Sequence, residues 1–220
     1  MARLKTGVLI SGSGTNLQAL LDATATPEYP AEIVLVVSNK RDAPGLEYAR
    51  ASGIATQIVD NLEFPERAAF DGALNLALNE AGCEIVCLAG FMRLLTAEFT
   101  DRWRDRLINI HPSLLPAFKG LDAQAQALAA GVRISGCTVH FVRSKMDAGP
   151  IIVQGAVPVM EGDDTASLSA RILKVEHRIY PLALRLIGED RITVDGDTVT
   201  IAGDLRVSTG TLVYPTENNR

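Results

Sequence analysis

Aromatic side chains are scarce in this 220-residue chain: six Phe, four Tyr and one Trp make up 5% of it. Its core must therefore be aliphatic. Cysteine is scarcer still, and Cys83, Cys87 and Cys137 are odd in number, lack CxxC spacing and sit among apolar neighbours. That excludes a disulfide framework and a cysteine-built zinc site, and the three are expected to be reduced core residues, as suits a cytoplasmic protein. Long hydrophobic runs are missing too. After two basic residues in the first five, the apolar stretch at 6–10 stops at a Ser-Gly turn, too short for a signal peptide or a membrane span. Positive charge is nowhere concentrated: 21 Lys and Arg are scattered among 26 Asp and Glu, for a net charge of −5 and a pI near 5.3. Broad electrostatic binding to nucleic acid is excluded, and basic residues must act singly.

What is present reads as an ordinary globular chain, 47% hydrophobic and 21% charged, with 18 Gly and 10 Pro for tight turns. A chain of this length buries about 70% of its unfolded surface. One large domain, or a domain with an appendage, is the prior. Aliphatic runs of strand length recur at 7–10, 33–37, 85–89 and 107–110, with further strands at 137–142 and 151–157. Between them, helical spacing marks 16–25, 45–52, 65–81, 96–103, 122–131 and 164–187, the last expected to kink at Pro181. In the helix at 65–81, Phe70, Leu74, Ala77 and Ala81 share one side. This alternation predicts an α/β fold with a doubly wound, mostly parallel sheet and helices on both faces. A small C-terminal β-hairpin at 191–201 around Asp195-Gly196 follows, then a tail at 212–220. The expected division is a main domain at 1–190, with the hairpin and tail at 191–220 packed on it.

The segment SGSGTN at 11–16 joins a buried strand to a helix, where free backbone N–H groups and the helix dipole favour an anion. A dinucleotide fingerprint would need a third glycine where Leu17 stands, and the second strand ends in Ser38-Asn39-Lys40 with no acidic ribose partner. No GK[ST] follows either, which argues against a nucleoside triphosphate. Two readings remain from spacing: a monophosphate site, or a tight turn with Thr15 or Asn16 as helix cap.

Asn109 and His111 lie two apart near the end of an apolar strand, so both side chains emerge on one face. Ligands collect at the carboxyl ends of strands in open parallel sheets. The pair is therefore either a site or a buried His and Asn tied to backbone. Asp147, in the turn MDAGP on the same side of the sheet, is within expected reach of His111. A metal site would need a third ligand, and neither His140 nor His177 shares a spacing with them. Asn, His and Asp together suit acyl transfer to an amine: an amide holds a developing oxyanion, an imidazole moves protons, and a carboxylate orients the imidazole and favours its charged form. No serine or cysteine elbow is evident, so direct attack by the substrate's amine is expected.

These residues resemble the folate-dependent formyltransferases, and within them the phosphoribosylglycinamide branch of purine synthesis. The likeness is carried by VLISGSGTNLQAL at 8–20, VVSNK at 36–40, LAGFMRLL at 88–95, INIHPSLLPAFKG at 108–120, GCTVHFV with MDAGPII at 136–152, and EHRIYP at 176–181. It implies a Rossmann-like fold and a cytoplasmic enzyme, monomeric or homodimeric. Its co-substrate would be 10-formyltetrahydrofolate, used without metal, nucleic acid or membrane. By the same resemblance Asn109, His111 and Asp147 are catalytic, and Gly14, Thr15, Asn16, Leu17 and Glu176 hold the phosphorylated amine substrate. Arg67, Met92, Arg93, Leu94, Leu95, Asn109, Arg143 and Met146 would contact the folate. Gln124 and Val175 depart from the His and Gln common in relatives. Two alternatives are a 10-formyltetrahydrofolate hydrolase, with water replacing the amine, and a binding module for a phosphorylated small ligand.

Overall fold

The computed structural model describes residues 2–203; the expected tail at 212–220 lies outside them. Seven strands form one sheet in the order β3-β2-β1-β4-β5-β6-β7. They are β1 (Leu4–Ile10), β2 (Ala31–Ser38), β3 (Ala55–Ile58), β4 (Ile85–Leu88), β5 (Leu107–His111), β6 (Ile134–Phe141) and β7 (Ile151–Pro158). The first five pair in parallel, whereas β6 runs antiparallel to both β5 and β7. The helices are α1 (Thr15–Thr24), α2 (Gly45–Ala51), α3 (Arg67–Glu80), α4 (Ala97–Arg102), α5 (Ala123–Ala129) and α6 (Thr165–Gly188).

Successive strand residues point to opposite faces, and the core divides accordingly. From β1, Val8 and Ile10 join a cluster under α1, α2, α5 and α6, while Leu9 joins the cluster under α3 and α4. The same split sends Cys87 and Ile108 one way and Val86, Leu88 and Leu107 the other. Helices on both faces explain why the central strands read as unbroken apolar runs. On α3, Phe70, Leu74 and Ala77 are buried as their spacing predicts. All three cysteines are free and buried, and loss of solvent pushes the Cys87 and Cys137 thiols up to about 12.

Two differences from expectation have physical causes. The edge strand β3 is absent from the sequence reading because its four residues, Ala-Thr-Gln-Ile, alternate with polar positions and are no more than half-buried. β6 starts three residues early, at Ile134, because Gly136 is a close-packing strand residue there. α6 runs from Thr165 to Gly188 with Pro181 inside it, and the Pro181 carbonyl accepts the Tyr29 hydroxyl at 2.5 Å. Its start is fixed by a capping box between Asp164 and Ser167.

The hairpin forms as β8 (Ile192–Asp195) and β9 (Thr198–Ile201), and Ile192, Val194 and Val199 pack against the larger cluster. No helix among the described residues is long and apolar enough to cross a membrane.

β6 and β7 approach closely at Gly136. A Cβ there would lie 2.0 Å from the Gly155 carbonyl oxygen and 2.9 Å from Leu114 Cδ2. Gly136→Ala is expected to destabilise the fold by about 1–3 kcal/mol, the usual cost of overpacking. Thermal melting should show a lower Tm; an unchanged Tm would mean the two strands separate freely.

Candidate active site

The strand order reverses beside β1, which lies between β2 and β4, so the loops after β1 and β4 diverge and leave a crevice at the carboxyl edge. Ser11 to Asn16 and Ala89, Gly90 and Met92 line a cavity of about 320 Å³ there, with Lys40 from the end of β2. Ser11 Oγ ties the loops together: it donates to Asn39 Oδ1 at 2.6 Å and accepts from the Met92 N–H at 2.8 Å.

Gly14 takes the N-cap position of α1 in a left-handed conformation with no side-chain cap. Thr15 and Asn16, the residues that could have capped the helix, are therefore inside it. The glycine is required twice over. Its φ is +73°, and a Cβ would come within 2.5 Å of Gly45 Cα at the start of α2. The first helical N–H groups, on Thr15, Asn16 and Leu17, have no intrahelical acceptor and point out of the helix start. Leu17 can offer only this backbone group, because its side chain is wholly buried in the core.

The Asn16 side chain turns to α6 and donates from Nδ2 to Glu176 Oε2 at 2.7 Å, leaving its buried Oδ1 without a partner. Burial pushes the Glu176 carboxyl above its usual range, against the Asn16 hydrogen bond and the positive side of His111, which both act downward.

The second half of the site lies at the end of β5. Leu88 of β4 pairs with Asn109, so the segment leaving β4 emerges beside that residue. Tyr180 of α6 braces this edge from below by donating to the carbonyls of Leu88 and Ile108 at 3.0 and 3.2 Å. His111 is buried, with Nε2 2.8 Å from the Phe118 carbonyl and Nδ1 3.6 Å from Asp147 Oδ2. A carbonyl can only accept, so Nε2 carries hydrogen and Nδ1 is the nitrogen that faces the carboxylate. Asp147 sits at φ +49° in the turn after β6 and also accepts the Gly120 N–H at 2.8 Å. The three expected catalytic residues thus meet in one corner.

The loop after His111 is held by partners that sequence reading missed. Thr138 Oγ1 donates to the Ser113 carbonyl at 2.7 Å and accepts from the Leu115 N–H at 3.0 Å; Gln154 Nε2 donates to the Leu115 carbonyl at 3.0 Å. Only the antiparallel registers His111↔Thr138 and Thr138↔Gln154 put these residues in line.

His140 was also missed. It lies directly across from Asn109, 3.4 Å from its Nδ2 and 3.9 Å from Asp147 Oδ1. No group of three or more His, Cys, Asp or Glu among the described residues is placed to hold a metal ion.

Around this corner Met92, Leu94, Leu121 and Met146 expose more than half of their surface. Arg93 is exposed beside them, and Leu95 is half-buried against the smaller core cluster. Arg67 opens α3 as an exposed residue, one turn before Asp71, whose carboxylate accepts the Thr96 N–H at 2.6 Å. Arg143 is committed elsewhere, to an ion pair with Asp105 and to the Val142 carbonyl. Gln124 lies in α5, half-buried, beyond the Gly120 turn.

The formyl transferase family model matches residues 4–184, which include both halves of the site. The chain belongs to the formyl transferase family. Among curated relatives, the trifunctional purine biosynthetic protein adenosine-3 of Gallus gallus is 50% identical over 192 residues, 87% of this chain but 19% of that protein. The chain therefore spans about a fifth of the length of such relatives. The phosphoribosylglycinamide formyltransferase of Escherichia coli K12 is 42% identical over 196 residues, covering 90% or so of each: 89% of this chain and 92% of the relative. Among solved structures, glycinamide ribonucleotide transformylase 1 from Symbiobacterium toebii superposes with a TM-score of 0.89 at 51% identity. That match covers 91% of this formyl transferase and 95% of the other chain.

Glu176 offers a test of the site's electrostatics. A carboxyl that holds its proton more tightly when folded costs stability above its ordinary value of 4.5, and the cost disappears below it. Glu176→Gln keeps an acceptor for Asn16 and removes the buried charge. It is expected to raise Tm at mildly alkaline pH, with the gap to the parent closing as pH falls toward 4.5. Parallel melting curves would contradict the assignment.

Proposed function

We propose that this formyl transferase moves the formyl group of 10-formyltetrahydrofolate to the amine of 5-phosphoribosylglycinamide, giving formylglycinamide ribonucleotide and tetrahydrofolate. The observation that carries the reading is the His111–Asp147 corner beside Asn109, at the end of a strand whose parallel neighbour β4 leads into the crevice at the glycine loop. An anion cradle and an acid-base corner on one edge match a substrate with a phosphate at one end and an amine at the other. The similarity to phosphoribosylglycinamide formyltransferases over nearly their full length supports it.

In this reading the N–H groups of Thr15, Asn16 and Leu17 hold the phosphate beyond Gly14, and Lys40 supplies the opposing charge. Glu176 and the buried, unpartnered Oδ1 of Asn16 accept hydrogen bonds from donors on the body of the substrate. The exposed apolar rim of Met92, Leu94 and Met146 receives the pterin, with the backbone at 92–95 reading its polar edge. Arg67 and Arg93 sit on the same side as cations for the acidic tail of the folate. Arg143 serves by pinning the turn that carries Asp147.

The neutral amine attacks the formyl carbon. A C–N bond forms and the carbonyl oxygen becomes an oxyanion held by Asn109 Nδ2 and His111. The proton lost by the attacking nitrogen passes through His111 to N10, and the C–N10 bond breaks. Asp147 balances the charge on the ring while it carries both hydrogens. Direct attack needs no enzyme nucleophile, and none of the three cysteines is suited to the role. Each is buried with its thiol pushed well up.

Mixing the protein with both substrates should give a ribonucleotide heavier by one CO in the mass spectrum; an unmodified acceptor would overturn the proposal. Asp147→Asn tolerates the left-handed backbone and keeps an acceptor for Gly120, so folding should survive. Its kcat should fall by about 10² or more with KM little changed, on the scale of acid-base catalysis. A rise in KM at constant kcat would make Asp147 a binding residue.

The phosphate cradle is tested at Gly12, whose φ is ordinary and around which a Cβ meets nothing within 4 Å. Gly12→Val should leave Tm unchanged and, by crowding the anion in the cavity that Gly12 lines, weaken the phosphorylated substrate by about tenfold or more, the scale of one charge-assisted hydrogen bond. Calorimetric titration should also show the wild type binding the dephosphorylated analogue far more weakly. Equal affinity for the two would return the loop to an ordinary turn.

A further inference from the structure

His140 is the buried titratable group at the reacting corner to which the mechanism assigns no step. Its ring Nδ1 lies 2.9 Å from the Phe141 carbonyl, which can only accept, so Nδ1 carries hydrogen. The neutral ring then has its lone pair on Nε2. That nitrogen faces two groups: the Asn109 amide nitrogen at 3.4 Å and Asp147 Oδ1 at 3.9 Å. Only the amide can donate.

We propose that His140 is a positioning residue for formyl transfer, whose Nε2 lone pair fixes which end of the Asn109 amide faces the reacting carbonyl. An amide has two orientations related by a half-turn, one presenting NH₂ and the other oxygen. With one Nδ2 hydrogen held by His140, the second remains for the developing oxyanion. The 3.4 Å separation is long for a hydrogen bond, as is usual at a catalytic centre before substrate tightens it. A protonated His140 would instead place an N–H against Nδ2. The amide would turn over and Nδ2 would leave the corner.

The surroundings keep the ring neutral. The His140 side chain is buried, and desolvation holds its proton affinity down. Asp147 and the Phe141 carbonyl act in the opposite direction, while His111 on β5 and Lys119 in the following loop add to the lowering. From β7 the register partner is Ile151, which carries no charge. Placement directly across from Asn109 leaves the ring little freedom to turn away.

This inference rests on the formyl-transfer reading, and its test separates the two. His140→Gln can return an acceptor to Asn109 and His140→Leu cannot. The Leu variant is expected to lose about 10² or more in kcat, the scale of a missing oxyanion donor, with both KM values within about threefold of the parent. The Gln variant should recover to within about tenfold of the parent. Unchanged kcat in the Leu variant, or no recovery in the Gln variant, would overturn the proposal.

Should the Leu variant fail to fold, nitrogen NMR of the wild type decides. A neutral His140 ring with hydrogen on Nδ1 near neutral pH is expected. An imidazolium, or hydrogen on Nε2, would overturn the proposal. Wild-type protein that makes no formylated product would defeat the formyl-transfer reading and leave the tautomer to judge His140 by itself.

Discussion

The reacting corner depends on β5 pairing in parallel with β4 on one side and antiparallel with β6 on the other. Parallel pairing sends β4 and β5 out at the same edge, so the segment after Leu88 and the side chain of Asn109 leave the sheet together. Antiparallel pairing makes β6 enter at that edge and brings Thr138 and His140 against His111 and Asn109. The crossed register is what lets one strand supply a loop anchor and a partner for the Asn109 amide. A purely parallel neighbour would have needed a crossover helix and would have carried these residues away from the edge.

The glycine loop is governed by a different contact, the approach of two backbones. Gly14 and Gly45 are so close that a Cβ on either would overlap the other, and the Gly45 N–H donates to the Gly12 carbonyl at 3.0 Å. This packing locks the start of α1 with its free N–H groups turned outward. Asn16 then reaches α6 through Glu176, tying the loop to the helix whose Tyr180 braces the ends of β4 and β5. Cradle and corner thus share a rigid support in α6 rather than being linked by a flexible loop.

Much of this was legible in the residues. Unbroken aliphatic runs between amphipathic stretches define the doubly wound sheet, and the two-residue spacing of Asn109 and His111 places both on one face. Asp147 is near His111 as expected, although antiparallel β6 ends beside the start of β5, so the turn has to fold back along the sheet to bring the carboxylate there. What escaped was information carried by register. β3 is four residues at an edge, alternately exposed and half-buried, with too little apolar pattern to register. His140 has no sequence spacing in common with His111 or Asp147, and only the pairing Asn109↔His140 reveals it. Leu17 shows the reverse case: a residue expected at the substrate by position sends its side chain into the core and leaves only its N–H at the site. Arg143 pairs instead with Asp105, which precedes β5 in the chain, so no local motif links the two.

The central claim is that the acceptor is an amine held between cradle and corner, with His111 carrying its proton to the leaving nitrogen. Water has no phosphate for the glycine loop to grip and no body for Asn16 and Glu176 to hold. The most direct measurement is the rate of tetrahydrofolate release from 10-formyltetrahydrofolate with phosphoribosylglycinamide present and withheld. The account predicts release that requires the amine and matches formylated product one for one. Release at the same rate without the amine, with formate as the product, would contradict it.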